Sequence, residues 1–330
     1  MSGVRCTNRV FKIVSILLIL SFFVSGCGQV SYAMPYSSKY EVGCFRMDQI
    51  DRNIKLETFA KNLCIVNDNK LLDLEDVITE ADSAALFSID DSQVLYAKNV
   101  HTQLDPASLL KVLTAYVALK YGNLDDTVVV GDEINNLEQG AQRCGIEEGD
   151  VLTMSQLLYV LLIWSANDAA MVIAKHVGGT VENFVVMMNE EALKIGAVKS
   201  NFVNPHGLTE ENQYVTLYDM YLIFNEALNN QTFKDIIQLG SYKSVYQDKF
   251  GKDKYFDFFS TNLYLSGEFE TPDFIRIAGG KTGTTLAAGN CLIVYGIDNK
   301  NKSYLAIMMH ANDKIEMYNQ MDELLKEIDN

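Results

Sequence analysis

A mixed α/β fold of the α+β kind, with one antiparallel sheet completed by both ends of the chain, is what this sequence predicts. Three observations predict it. A strand-pair pattern begins near residue 81, a second begins near residue 290, and the stretch between, from about 105 to 240, is mostly helical in its spacing. Helices from the middle of the chain would pack on the sheet, with a helical insertion forming one wall.

Taken in order, the chain opens with a segment that does not belong to the fold. Arg5, Arg9 and Lys12 precede the apolar run IVSILLILSFFV, Ile13 to Val24. Its twelve residues suit the hydrophobic region of a signal peptide, whereas a membrane-crossing helix needs about 20. The next residues, VSGC, resemble the lipobox of bacterial lipoproteins, in which the cysteine, here Cys27, becomes the lipidated N-terminus. Ordinary cleavage after Ala33 is the alternative, with Ser31 and Ala33 as the small residues. Both make the protein exported, with residues 1–26 as signal peptide in the lipoprotein reading. Residues 27–80 read as a tether and a small extension without chemical signature.

SAALFSIDDSQVLYAKN then reads as two short strands around an Asp-Asp-Ser turn. At the other end, NCLIVYGIDNKNKSYLAIMMHAND gives a second hairpin turning at DNKN. Ile315, Met317, Met321, Leu324, Leu325 and Ile328 fall at helical spacing in the last stretch.

Composition narrows the functions. Hydrophobic residues make up 48% of the 330 and charged ones 21%, enough for a sizeable core. The net charge is −16 and the basic residues are scattered, so the basic patch that nucleic acid requires is missing. No pair of cysteines or histidines has metal-site spacing. Export permits disulfides, and Cys44–Cys64 or free buried thiols are both compatible with the sequence. His101, His176 and His310 are isolated, and His206, in NPHG, fits a packing or loop-shaping role.

Chemistry concentrates in three short motifs. In DPASLLKVLTAY, Asp105 suits an N-cap and Pro106 the first helical position. Ser108 and Lys111 then share a face, three residues apart. The helix is apolar nearly all round, hence buried, and burial lowers a lysine pKa. A neutral amine beside a hydroxyl makes the serine a nucleophile. The second motif, Ser165-Ala166-Asn167, interrupts two apolar helical runs. It is either a helix break with a cap or a loop presenting a hydroxyl and an amide to a cleft. The third, Lys281-Thr282-Gly283, lies in RIAGGKTGTTLAAGN. A phosphate loop would need a glycine where Ile275 stands, and a helix where CLIVYGI reads as a strand. An edge strand receiving an extended peptide fits better, with glycines allowing close backbone approach.

Together, S-x-x-K, S-x-N and K-T-G in this order resemble penicillin-binding enzymes and serine β-lactamases. The segments PASLLKVLTAYVAL, SANDAAMVIAKHVGG, FVVMMNEEALKIGAVKSNFVNPHGL and KTGTTLAAGNCLI are similar to the D-alanyl-D-alanine carboxypeptidase family of low-molecular-mass penicillin-binding proteins. The resemblance runs over roughly residues 81 to 325 and makes 81–330 a transpeptidase-like catalytic domain, three layers deep with helices on both sides of the sheet. It implies a substrate, the peptidoglycan stem peptide ending in D-Ala-D-Ala, and β-lactams as covalent inhibitors. It implies Ser108 as nucleophile, Lys111 as its base, Ser165 as proton relay and Asn167 on the substrate backbone. Lys281, Thr282, Gly283 and Thr284 would form the wall that receives the terminal carboxylate, with no metal or cofactor. A lipid on Cys27 would hold the protein to the membrane. A serine β-lactamase with Glu210 or Glu211 in deacylation, a D,D-endopeptidase and a non-catalytic wall-binding lipoprotein are the alternatives.

Overall fold

The computed structural model describes residues 60, 62–66 and 78–328. The leader, Cys27, Cys44 and most of the 27–80 extension lie outside these residues. Strands β1 (Ala81–Ser88) and β2 (Gln93–Lys98) form the first expected hairpin. The two-residue strand β3 (Gln103–Leu104) precedes a 3-10 turn, Ala107–Leu110, which runs directly into α1 (Lys111–Tyr121). Then come β4 (Thr127–Val129), β5 (Val151–Thr153), α2 (Met154–Ile163), α3 (Asn167–Gly178) and α4 (Val181–Ile195). After them follow β6 (Val215–Thr216), α5 (Leu217–Ala227), α6 (Gln231–Ile237), β7 (Ser241–Gln247) and β8 (Asp253–Phe259). The chain closes with α7 (Leu263–Ser266), β9 (Ile275–Thr285), β10 (Gly289–Asp298), β11 (Ser303–Ala311) and α8 (Lys314–Lys326).

The main sheet has five antiparallel strands in the order β2-β1-β11-β10-β9. Strands from the two chain ends meet in its centre, where Ala84 pairs with Met308 and Phe87 with Leu305. Side chains alternate across a strand, and here both faces are apolar. Ala85, Phe87, Leu305, Ile307 and Met309 face the helices of the middle region. Ala84, Leu86, Ala306 and Met308 face α8, which supplies Met317, Tyr318, Met321, Leu324 and Leu325. The sheet is therefore the middle of three layers, as the resemblance implied.

Two features depart from the sequence reading. The middle region is not purely helical: β4 and β5 pair with β7 and β8 in a second, four-stranded sheet, and β3 pairs with β6. Residues 62–66 also lie against the domain. The Cys64 N–H donates to Tyr221 Oη at 2.9 Å, and Tyr218 Oη donates to the Cys64 carbonyl at 3.0 Å. Cys64 is a free thiol, fully buried, donating to the Ser88 carbonyl, which is the free-thiol alternative.

Candidate active site

The Ser108 turn starts where Asp105 Oδ1 accepts the Ala107 N–H at 3.0 Å. Ala107 has φ +44°, a left-handed backbone, so an α-helix cannot begin at Pro106 as the sequence suggested. The chain takes the 3-10 turn first. Residues three apart eclipse in that geometry, and it aligns Ser108 with Lys111: Nζ lies 2.8 Å from Oγ. Lys111 is completely buried in the apolar helix.

Its ammonium nitrogen has two further neighbours, Asn167 Oδ1 at 2.6 Å and the His206 carbonyl at 2.5 Å. Both held this way only accept hydrogen bonds. A neutral amine has two N–H groups and one lone pair. With its N–H groups on those two oxygens, a deprotonated Lys111 would have its lone pair left for the Ser108 hydroxyl. Burial holds the Lys111 pKa well below 10.5, the Lys281 cation lowers it further, and the Asp168 carboxylate opposes both.

The S-x-N segment is a loop between buried helices. A capping box of Thr153 and Gln156 starts α2, and Ser165, at φ +67°, breaks the path before α3. Ala166 is the N-cap residue of α3 and contributes no side-chain cap. Ser165 and Asn167 are thereby free to point at the site. Asp168, also buried, fixes the neighbouring chain by accepting the N–H groups of Cys144 and Gly145, each at 3.0 Å.

The K-T-G strand is β9, an edge of the main sheet. Gly283 passes so close to the Ser108 turn that a Cβ there would stand 2.9 Å from Ser108 N and 3.0 Å from Ala107 Cβ. Lys281 is buried, with Nζ donating to Ser165 Oγ at 2.9 Å and to the Thr282 carbonyl at 2.8 Å. Burial brings its pKa down to about 7. Ser108, Ser165, Asn167, Thr282, Gly283 and Thr284 line one cavity of about 670 Å³, with Lys281 one layer behind.

Sequence reasoning missed several participants. The His206 carbonyl reaches Lys111, but a backbone oxygen has no residue signature. Its imidazole is loop-shaping, accepting the Leu208 N–H at 3.2 Å, and burial with the nearby Lys111 charge depresses its pKa to about 3. Gly207, at φ +86°, abuts the Ala107 carbonyl, and Thr261 shares a 2.5 Å hydrogen bond with Thr282. Lys314 and Glu138 are the charged residues lining the cavity. Lys314 stands at the first position of α8, where the helix dipole disfavours a cation.

The model of the D-alanyl-D-alanine carboxypeptidase family matches residues 69–313. The chain belongs to this family. DacF of Bacillus subtilis, a D-alanyl-D-alanine carboxypeptidase, is 30% identical over 275 residues, covering 82% of this chain and 67% of its own. The chain spans 56% of DacA of Haemophilus influenzae, another carboxypeptidase by name. Among solved structures, a Streptomyces DD-transpeptidase is similar with a TM-score of 0.69 at 24% identity, over 75% of this chain and 96% of that one. A Listeria monocytogenes penicillin-binding protein, solved with cefotaxime bound, is similar with a TM-score of 0.63 at 22% identity, over 79% of this chain and 99% of that one. The fold of the carboxypeptidase family member described here is thus the β-lactamase/transpeptidase fold.

Proposed function

We propose that the chain is a serine-type D-Ala-D-Ala carboxypeptidase that removes the terminal D-alanine of peptidoglycan stem pentapeptides. The observation that carries this is the Lys111 amine, held against Ser108 Oγ by two acceptors, behind the serine that lines a cavity of about 670 Å³. Ser108 attacks the carbonyl of the penultimate residue as Lys111 takes its proton. The N–H groups of Ser108 and Thr284 stabilise the oxyanion, a contribution of roughly 3–4 kcal/mol per donor. Ser165 passes a proton to the leaving amine, with its hydroxyl oriented by Lys281. Asn167 holds the substrate backbone. Thr282 and Thr284 receive the terminal carboxylate, Lys314 contributes its charge at that end, and Lys281 adds positive potential from behind the strand. Water then hydrolyses the acyl-enzyme.

β-Lactams mimic the dipeptide terminus and acylate the same serine; the cefotaxime bound to the Listeria relative supports this. The β-lactamase alternative loses support, since neither Glu210 nor Glu211 lines the cavity. Export and a lipid on Cys27 complete the reading, placing the enzyme at the outer face of the membrane beside its substrate. The test is D-alanine release from a pentapeptide and from a cross-linked dimer, with Ser108→Ala as the blank. Release from the pentapeptide is expected; preference for the dimer would make it an endopeptidase, and no release from either would overturn the proposal.

A further inference from the structure

We propose that His310 is a positioning residue that fixes the nucleophile turn from the neighbouring strand, an inference that rests on Ser108 being the nucleophile. The register between β10 and β11 slips here: Asn290 pairs with Ala311, but Leu292 pairs with Met308. Two residues, Met309 and His310, therefore stand opposite the single residue Cys291. This is a β-bulge, a device that re-aims a side chain.

His310 sits at φ +60°, inside a strand, a left-handed backbone that is strained for a non-glycine residue. Its N–H donates to Cys291 Sγ at 3.5 Å. The bulge directs the imidazole to the turn, with Nε2 3.1 Å from the Asp105 carbonyl. A carbonyl only accepts, so Nε2 carries the proton. Nδ1 faces the Asp82 carboxylate of β1 at 3.6 Å.

The position of that carbonyl gives the contact its meaning. Asp105 is held at two points, its carboxylate on the Ala107 N–H and its carbonyl on His310. Between Asp105 and Ser108 lie Pro106 and Ala107, the latter at φ +44°. One hydrogen bond thus ties the left-handed His310 to a residue two positions before the left-handed Ala107, and strain persists where surrounding structure over-determines it. His310 does not line the cavity, so it acts through the turn. Without the bond, Ala107 can relax and Ser108 Oγ moves off the Lys111 amine.

Two variants separate this role from simple packing. His310→Asn keeps the left-handed backbone, which asparagine tolerates, but its side chain is too short for the Asp105 carbonyl. His310→Gln places an amide N–H near the position of Nε2. Acylation by a fluorescent penicillin, kcat and KM for D-alanine release, and thermal melting are measured for both. His310→Asn is expected to slow acylation and lower kcat by about ten-fold or more, since small misplacements of a nucleophile carry such losses, with KM and melting little changed. His310→Gln is expected to recover most of the rate. Wild-type rates in His310→Asn, or equal losses in both variants, would overturn the inference. Affinity for an arylboronate, which adds to an activated serine whatever its substrate, is read in the same proteins. A wild type that binds boronate but neither takes penicillin nor releases D-alanine would count against the carboxypeptidase reading alone, while the boronate ratios still test His310.

Discussion

Two buried lysines carry the electrostatics of the site, and their burial has measurable consequences. Lys281 has a folded pKa of about 7 against an ordinary 10.5. Between those pH values the unfolded chain binds a proton that the folded one does not, so stability rises with pH across that window. Below about pH 7 the full penalty is present. Lys281→Met removes it, and melting at pH 6 is expected to rise by roughly 2–4 °C, about 1 kcal/mol, with the lost Ser165 contact offsetting part of the gain. The same substitution removes a cation that lowers the Lys111 pKa. The acid limb of penicillin acylation should therefore move to higher pH, which a pH–rate profile checks; an unmoved limb would separate Lys281 from the base. At this scale the sequence was informative about residue types and spacings, and silent about backbone groups. The gathering of Ser108, Lys111, Ser165, Asn167 and Lys281 in one place was legible, because each motif is marked by its own side chains. The His206 carbonyl was not, because any residue offers one. The bond from Lys281 to Ser165 spans 116 positions, and only folding shows it.

Elements bring those residues together through close backbone approaches. Gly283 lets β9 lie against the Ser108 turn. Gly283→Ala should push the strand away by a few tenths of an ångström or more, with acylation slowed about ten-fold or more and a lower melting temperature. Unchanged acylation would mean that the strand's distance does not control the reaction. Both hairpins of the main sheet were legible from short apolar runs around polar turns, and the terminal helix from its helical spacing. The β7–β8 hairpin was not anticipated, although Tyr242, Ser244 and Tyr246 alternate with exposed neighbours. Strands β4 and β5, three residues each, carry too little pattern to be read and depend on tertiary pairing. The left-handed Ala107, which replaces the expected helix start by a 3-10 turn, also has no sequence signature, since alanine ordinarily favours the helix.

At the scale of the molecule, three layers place the site where the sheet's β9 edge meets the helical region, while residues 62–66 brace a different part of that region. Tyr221 links them: it accepts the Cys64 N–H and stacks on Phe87 of β1 at 4.2 Å between ring centroids. Tyr221→Phe keeps the ring and leaves a buried N–H unpaired, a loss of about 1–3 kcal/mol. Melting should fall by roughly 2–8 °C with penicillin acylation unchanged; unaltered melting would show that the segment is not part of the cooperative fold. The layered architecture was legible because both chain ends carry strands, whereas the docking of 62–66 depends on two tyrosine hydroxyls more than 150 positions away. The proposed function asks one chemical state of this organisation, an uncharged amine beside Ser108. NMR titration of lysine labelled at Cε, with the Lys111 signal assigned by Lys111→Arg, measures that state directly. The account predicts a midpoint well below 10.5; an ammonium that persists to pH 10 in the folded protein would contradict it.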